Sequence, residues 1–363
     1  MNKWHFIVLL MAWIAVFGSS SGSLPQVSQN PTVITSGWTR SGPEEQGLNP
    51  KLLNKAFQEA AKNPYIYSLL VVKNGYLVRE SYFNGSDVSA WDLVYSVTKS
   101  VTSALVGIAI EEGYIDSVDQ RIIDYFPEHD TPELDSEKRK ITIRHLLTMQ
   151  SGIDTDDNLG EIMSRAPDMA AAIMESDLCF VPGTDFLYSS YGTHLLSVII
   201  TRATGTTTRE YAREKLFTPL GIRSFFWETD PNGIAFGGGR LHLAARDMAR
   251  FGQLYLQRGL WKRRQVIPAG WIDQSLRNHR SFQDEWGGMK DAGYGFCWWT
   301  GRIHDHKAYA AWGHGGQWIW LFPEQNLMVV STMNAYIGDG VKPTQFMPSL
   351  LSRFLLPALG KSK

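Results

Sequence analysis

Residues 96–113 have the sequence SVTKSVTSALVGIAIEEG, and the fold expected for the rest of the chain depends on this stretch. Its apolar residues recur at spacings of three and four, the pattern of a buried helix; they are Val97, Val101, Ala104, Leu105, Ile108 and Ala109. Gly113 is suited to end such a helix because glycine tolerates the left-handed conformation. We therefore predict a buried helix from Val97 to Glu112 that begins directly after a serine.

The start of this helix carries a pair of residues that can form a nucleophile. Ser96 and Lys99 are three residues apart, so their side chains share one helix face with about 5–6 Å between Cβ atoms. The amine can take or share the serine proton, and free N–H groups at the helix N-terminus favour an oxyanion. Ser-x-x-Lys alone is weak evidence, because both residues are common. Its position at a helix start gives it weight.

Strand patterns flank this helix on both sides. Residues 67–82 predict a hairpin, because Asn74-Gly75 between apolar runs is the strongest short hairpin signal. Residues from about 116 to 239 are mostly helical in pattern, with helices predicted at 143–149, 168–174, 194–204 and 208–216. The last third predicts strands at 294–300, 308–312, 317–322 and 327–333. Pro343 then opens an apolar helix that runs to about residue 356.

Together these segments predict an α+β fold. One antiparallel sheet is built from both chain ends and flanked by helices, with a helical insert domain. Alternation along residues 317–322 predicts that Trp318 and Trp320 share one face of the sheet and Ile319 lies on the other. We expect the folded domain to span residues 37–360, with a sheet subdomain at about 37–95 and 240–360 and a helical subdomain at about 96–239.

Two further motifs carry polar groups. Tyr188-Ser189-Ser190 contributes a phenol, and a Tyr beside a Lys ammonium can have a lowered phenol pKa and act as general acid or base. A single Tyr in a turn is more often a packing residue, so that alternative stays open. Residues 312–317, WGHGGQ, enter a strand, and their glycines let a ligand approach the backbone. A backbone N–H there could complete an oxyanion hole with the Ser96 N–H.

In this order the three motifs resemble those of the serine β-lactamase and penicillin-binding protein superfamily. The resemblance is strongest to class C β-lactamases and to their esterase and amide-hydrolase relatives, which include 6-aminohexanoate-dimer hydrolase. It extends from about Gly37 over nearly the whole chain and includes residues 141–152, 237–239 and 243–252. It implies a β-lactamase/transpeptidase-like fold.

The resemblance also implies roles for individual residues. Ser96 would be the acylated nucleophile, Lys99 its activating partner and Tyr188 the general acid/base. The N–H groups of Ser96 and Gln317 would form the oxyanion hole, and His314 would line the pocket.

Two residues depart from the family's motifs. The second motif usually ends in Asn, and Ser190 stands there. The third motif of β-lactamases begins with a Lys that helps to hold the substrate carboxylate, and His314, largely neutral at pH 7, stands there. Both changes weaken the case for β-lactam turnover. The residues expected to contact substrate are Ser190, His314, Gly315, Gly316, Trp312 and Trp318. The two Trp would form an aromatic rim on an apolar acyl or amine pocket, with core packing as the alternative.

The function expected is that of an exported serine hydrolase that cleaves a small ester, amide or peptide substrate. A carboxylesterase or small amide hydrolase is the first choice. The alternatives are a penicillin-binding D-amino-acid peptidase or a β-lactamase and, from a different class, a catalytically silent ligand-binding protein. The Ser at the Asn position motivates the silent protein. It would be distinguished by the absence of any ester turnover.

No metal or organic cofactor is expected. His304-Asp305-His306 lacks further ligands and predicts a solvated loop. The acidic residues Asp154, Asp156, Asp157 and Glu161 have the wrong spacing for a calcium loop. Lys plus Arg number 35 and Asp plus Glu 36, so the net charge is −1, and the basic excess of a nucleic-acid-binding protein is missing.

The N-terminus has the pattern of a secretory signal. Lys3 precedes an apolar run at 6–17, and small residues follow at 18–23. We predict a signal peptide at 1–23, a leader at 24–36, export to the periplasm or medium, and no stable membrane span after cleavage. An uncleaved anchor is the alternative. Pairing of Cys179 with Cys297 cannot be deduced, and Cys297 is expected to be a buried thiol in a strand.

Overall fold

The main sheet of this computed structural model has eight antiparallel strands in the order β2-β1-β13-β12-β11-β10-β9-β8. The structure describes residues 37–153, 166–336 and 341–360. Two small sheets have the orders β3-β5-β4 and β6-β7. The strands are β1 Ile66–Lys73, β2 Tyr76–Tyr82, β3 Trp91–Leu93, β4 Phe226–Trp227, β5 Leu241–Ala244, β6 Leu260–Trp261, β7 Arg264–Gln265, β8 Arg280–Ser281, β9 Lys290–Tyr294, β10 Trp299–Ile303, β11 His306–Gly313, β12 Gln317–Phe322 and β13 Leu327–Met333.

Helices lie before, between and after these strands. The α-helices of the described ranges are α1 Pro50–Ala61, α2 Val97–Glu111, α3 Ile143–Leu147, α4 Met169–Glu175, α5 Ser190–Thr204, α6 Thr208–Ala212, α7 Thr218–Leu220, α8 Ala245–Leu256, α9 Ala269–Ser275 and α10 Val341–Leu350. Five-residue π-helical turns at Arg213–Phe217 and Leu351–Leu355 continue α6 and α10. Short 3₁₀ turns lie at Ile122–Tyr125, Pro127–His129, Lys138–Lys140 and Pro323–Gln325.

The two ends of the domain meet in the main sheet. Strand β1 pairs with β13 from Ile66 opposite Met333 to Lys73 opposite Leu327. The predicted β1–β2 hairpin is present, and both turn residues have positive φ, 54° at Asn74 and 80° at Gly75, as this turn requires. The predicted α+β fold, with one antiparallel sheet from both chain ends, is confirmed.

The faces of β12 also match the predicted alternation. Trp318 and Trp320 stack with ring centroids 4.7 Å apart. Ile319 faces α8, where a Cβ at Gly252 would lie 2.6 Å from its Cγ2 atom. Glycine at position 252 thus lets α8 lie directly on the sheet.

Helix α2 is buried from Val97 to Ala109 and packs against α5 and β11. A Cβ at Gly107 would come within 2.3 Å of the Trp271 indole, so only glycine lets α9 approach this closely. Because neighbours hold α2 on several sides, the side chains at its N-terminus start from a fixed backbone.

The prediction of a single strand at 294–300 is wrong. Strand β9 ends and β10 begins within it, and residues 295–298 connect the two. Cys297 has φ +60° in this connection. Its N–H donates to the Leu147 carbonyl, and its own carbonyl accepts from Ser100 Oγ at 2.6 Å. These contacts to α2 and α3 explain the interruption, while Cys297 is buried as predicted.

Two helix starts also differ from the predictions. Helix α5 begins at Ser190, not at residue 194, because the Ser189 hydroxyl caps it by accepting from Gly192 N–H at 2.8 Å. Helix α10 begins at Val341, two residues before Pro343.

Several sequence-based expectations lie outside the described residues. They are the signal peptide at 1–23, the leader at 24–36 and the acidic residues at 154–161. The subdomain boundaries stay a prediction. Within the three described ranges, none of the helices combines the length and apolar character needed to cross a bilayer.

Candidate active site

The Lys99 amine is the centre of the candidate site. It lies 2.8 Å from Ser96 Oγ, 3.0 Å from Ser190 Oγ and 2.6 Å from the Gly238 carbonyl oxygen. The Lys99 side chain is buried, with 1% of its surface exposed. Ser96 and Lys99 come from the start of α2, Ser190 from the start of α5 and Gly238 from the segment before β5. Three separate parts of the chain therefore fix one amine.

Burial lowers the pKa of Lys99 to about 7, because the charged ammonium loses its hydration in the interior. A nearby charge on Cys297 would act in the opposite direction and is the smaller effect. A carboxylate would normally neutralise a buried lysine, yet the three polar contacts of Lys99 are all to uncharged oxygens. Near pH 7 the amine is therefore poised between its two protonation states.

Ser96 occupies a sharp turn at the entrance of α2. Tyr95 directly before it has φ +48°, a strained value for a residue with a large side chain, and Ser96 itself is in the right-handed helical region. Among the described residues, no backbone carbonyl accepts from the Ser96 N–H. The half-buried Ser96 hydroxyl and its free N–H are therefore both available at the helix N-terminus.

Tyr188 lies beside this pair. Its ring centroid is 4.7 Å from Lys99 Nζ, and its ring stacks on Trp299 at 5.9 Å. Burial raises the pKa of Tyr188 well above its usual value, although the Ser96 side chain favours the ionised form. The suggestion that Lys99 lowers the phenol pKa is therefore wrong in direction, since desolvation of the phenolate is the larger effect. Tyr188 is therefore a protonated phenol that can act as a proton donor.

The Gly238 carbonyl is a part of the site that sequence reasoning missed. In the sequence Gly238 is visible only as the middle residue of the glycine run 237–239. A Cβ at Gly238 would lie 2.2 Å from the Ser190 carbonyl oxygen, so a residue with a side chain could not bring this carbonyl to Lys99. Consecutive glycines were the available signal, but they do not tell which carbonyl is used.

The turn from β11 to β12 lies next to the Ser96 segment. A Cβ at Gly313 would lie 2.2 Å from the Val94 carbonyl oxygen, two residues before Ser96. His314 contacts Tyr95 edge to face at 5.6 Å, and burial lowers its pKa, so its ring is neutral at pH 7. The Gln317 amide pairs with both backbone groups of Met333, which ties this turn to β13.

The residues predicted to contact substrate differ in whether they lie against the Ser96–Lys99 pair. Ser190 contacts Lys99 directly, and His314 lies beside Tyr95. A Cβ at Gly315 would lie 2.2 Å from the Cβ atom of Ala335, and the Gly316 carbonyl accepts a hydrogen bond from Ser331. Their contacts with substrate, and the N–H groups of Ser96 and Gln317 as an oxyanion hole, stay predictions.

A row of aromatic rings runs from Tyr188 through Trp299 and Trp286 to Trp312, and we call it the wall. Trp299 stacks on Trp286 at 3.4 Å, and Trp286 contacts Trp312 and Trp318 edge to face at 5.0 and 6.1 Å. Trp312 keeps 7% of its surface exposed, whereas Trp318 keeps none. Trp318 therefore lies behind the wall, Trp286 and Trp312 keep a small accessible surface, and Tyr188 is half-buried.

We expect Trp312→Ala to change chain-length preference more than overall activity. Removing the indole opens the wall, so the ratio of kcat/KM for p-nitrophenyl butyrate to that for the acetate should change by about 3- to 10-fold. Trp261→Ala, in the β6–β7 hairpin, is the matched control, because the Trp261 ring contacts Trp38, which is not a member of the wall. An unchanged ratio in Trp312→Ala would show that this Trp is only a packing residue.

The described residues contain no group of three or more His, Cys, Asp or Glu side chains that could hold a metal ion. His304 has φ +50° in the turn between β10 and β11.

A family model described as Beta-lactamase matches residues 67–345 of this chain. The 6-aminohexanoate-dimer hydrolase of Paenarthrobacter ureafaciens is 27% identical over 285 residues, which cover 72% of this chain and 71% of that protein. Other curated relatives match over shorter stretches, and the chain spans about a third of their length.

Solved structures share the fold. The octameric penicillin-binding protein homologue of Pyrococcus abyssi superimposes with a TM-score of 0.68 and 20% identity, covering 83% of this chain and 77% of that one. EstCE1, described as a hydrolase with promiscuous acyltransferase activity, gives a TM-score of 0.68 and 17% identity, covering 84% and 98%.

Proposed function

This chain belongs to the β-lactamase family, whose model spans both the sheet and the Ser96 helix, and from that premise we propose that it is a serine hydrolase. It cleaves an ester or amide bond through an acyl-enzyme on Ser96. The observation that carries the proposal is the 2.8 Å contact between Ser96 Oγ and an amine whose pKa is about 7. Such an amine can accept the serine proton at neutral pH.

The three contacts of Lys99 Nζ suit an ammonium with three N–H groups and can also be made by the neutral amine. Its two N–H groups donate to the Gly238 carbonyl and the Ser190 hydroxyl. Its lone pair then faces Ser96 Oγ, from which it takes the proton as the oxygen attacks the substrate carbonyl. The N–H groups of Ser96 and Gln317 hold the oxyanion.

Tyr188 completes the proton transfer. Its phenol gives a proton to the leaving alcohol or amine as the carbonyl–heteroatom bond breaks, and the Lys99 ammonium then reprotonates the phenolate. In the second half water attacks the acyl-enzyme and passes one proton to the neutral Lys99 amine. The Lys99 ammonium then returns a proton to Ser96 Oγ as the bond between Ser96 Oγ and the acyl carbon breaks. No proton is gained or lost over the cycle beyond those of hydrolysis.

A neutral substrate suits this site best. His314 carries no charge at pH 7, so the β11–β12 turn provides no cation for a substrate carboxylate. The wall from Tyr188 through Trp299, Trp286 and Trp312 offers an apolar surface to an acyl or amine group. A carboxylesterase or small amide hydrolase is therefore our first choice. The names of the Paenarthrobacter relative and of EstCE1 agree with it.

The alternative functions can be distinguished from this proposal by separate assays. Covalent labelling by a fluorescent penicillin would favour a penicillin-binding peptidase or a β-lactamase. A silent binding protein is less consistent with the site, because Ser190 keeps a polar contact with Lys99 even without the family's Asn.

We also propose that the protein is exported, on the basis of residues 1–23 alone.

The proposal is tested by hydrolysis of p-nitrophenyl acetate and butyrate between pH 5 and 9. We expect turnover, and kcat/KM should rise with pH through a limb near pH 7 and level off above it, because only the neutral form of Lys99 accepts the serine proton. An acyl group trapped on the Ser96 peptide would identify the intermediate by mass. Absence of turnover with every neutral ester and amide would contradict the proposal.

A further inference from the structure

A buried His–Asp pair lies behind the candidate site. His194 Nε2 is 3.1 Å from Asp230 Oδ2, and neither side chain has any exposed surface. Burial alone would raise the pKa of Asp230, but the hydrogen bond from His194 and the backbone N–H groups of Ile234 and Asn232 outweigh burial and lower it. Asp230 is therefore an ionised acceptor, and His194 donates to it through Nε2–H.

The other nitrogen of His194 contacts the segment that supports Lys99. Gly237 N–H donates to His194 Nδ1 at 3.4 Å. This requires the imidazole to be neutral with its hydrogen on Nε2, because a hydrogen on Nδ1 would face the Gly237 N–H. Asp230 thus selects the tautomer that lets His194 accept from Gly237.

Every carbonyl from residue 235 to 239 accepts a hydrogen bond from a side chain. The donors are Ser197 Oγ to Ala235, Trp227 Nε1 to Phe236 and Gly239, Thr102 Oγ1 to Gly237 and Lys99 Nζ to Gly238. A Cβ at Gly237 would lie 2.6 Å from the Thr193 carbonyl, so the segment lies directly on α5. Among the described residues, His194 provides the one side-chain acceptor for an N–H group of this segment.

We infer that His194 and Asp230 form a positioning dyad that fixes the 235–239 segment and thereby holds the Gly238 carbonyl on the Lys99 amine. His194 lies one helical turn after Ser190 on α5. Helix α5 therefore supplies the Ser190 contact to Lys99 and also supports the contact that the Gly238 carbonyl makes to Lys99. This inference rests on the proposed function for its catalytic consequence, but the placement of Lys99 can be measured without turnover.

The test exploits the two nitrogens of His194. In His194→Asn, the amide oxygen occupies a position similar to Nδ1 and can still accept from Gly237 N–H. In His194→Gln, the amide nitrogen can replace Nε2 towards Asp230, but the acceptor for Gly237 is lost. His194→Gln should therefore lower kcat for p-nitrophenyl acetate by roughly 10- to 100-fold with little change in KM, as expected for a small misplacement of a reacting group. His194→Asn should stay within about threefold of the wild-type protein.

The titration of Lys99 is the second readout, obtained by NMR of protein labelled with [¹⁵N]lysine and assigned with Lys99→Arg. The titratable groups near Lys99 are Tyr188, from the segment before α5, and Cys297, from the β9–β10 connection, and neither is altered. Asp230 is the ionisable partner of His194. Losing a carbonyl that accepts from the ammonium should move the Lys99 titration to lower pH in His194→Gln and leave it unchanged in His194→Asn.

An unchanged or raised Lys99 titration in a folded His194→Gln protein would overturn the inference, whatever the activity. If His194→Gln does not fold, Asp230→Asn carries the test through kcat, and the same fall in kcat is expected. The Lys99 titration does not discriminate in that variant, because loss of the Asp230 charge would by itself move it to lower pH. A wild-type protein without esterase or amidase activity would contradict the proposed function, while the NMR titration would still decide the role of the dyad.

Discussion

Replacing Ser96 by alanine is expected to lower kcat/KM for p-nitrophenyl acetate by at least roughly 10³-fold, because no other group takes the place of a nucleophilic hydroxyl. Ser96 Oγ has the contact to Lys99 Nζ, and its own N–H is free among the described residues for the oxyanion. Slow residual hydrolysis from the oxyanion hole and from binding should persist. The acyl-enzyme should disappear from the mass spectrum.

Ser103→Ala is the matched control for this prediction. Ser103 lies on the same helix, is fully buried and has an Oγ atom without a hydrogen-bond partner. The same chemical change at this position should leave kcat/KM within about twofold, since no polar contact is lost. Equal rates for Ser96→Ala and the wild-type protein would show that hydrolysis occurs elsewhere on the surface.

The fold could be predicted where one local signal determines one local structure. Asn74-Gly75 predicts a turn with positive φ at both positions, and the structure has this turn. The three- and four-residue spacing after Ser96 predicts α2 to within one residue of its end. The segment at 294–300 could not be predicted, because its break depends on contacts from Cys297 to Leu147 and Ser100, which are remote in sequence.

The candidate site shows the same division. Ser96 and Lys99 are three residues apart, so helix geometry alone brings them together. Tyr188 and Ser190 reach them only through the packing of α5 on α2, for which the sequence offers a family resemblance but no local rule. The Gly238 carbonyl and the His194–Asp230 pair carry no motif of their own. The sign of the Tyr188 pKa shift was also inaccessible, because it depends on how completely the ring is buried.

Replacing Lys99 by methionine is expected to lower kcat/KM by roughly 10²- to 10⁴-fold, the usual contribution of a general base. Methionine is apolar and unbranched, so it can occupy much of the buried space of the lysine without accepting the serine proton. The residual activity should no longer rise with pH through the limb near pH 7, because the group whose pKa is about 7 is gone. Loss of rate together with loss of the limb separates a base from a residue that only fills space.

Lys138→Met is the matched control, because Lys138 is also a buried lysine. It has 7% of its surface exposed and donates to the Met174 carbonyl at 2.9 Å, and burial lowers its pKa as well. Its replacement should alter the melting temperature more than the rate, and the limb near pH 7 should be retained. If Lys99→Met kept that limb, the titrating group would have to be another residue, and the neutral His314 ring beside Tyr95 would be the first to replace.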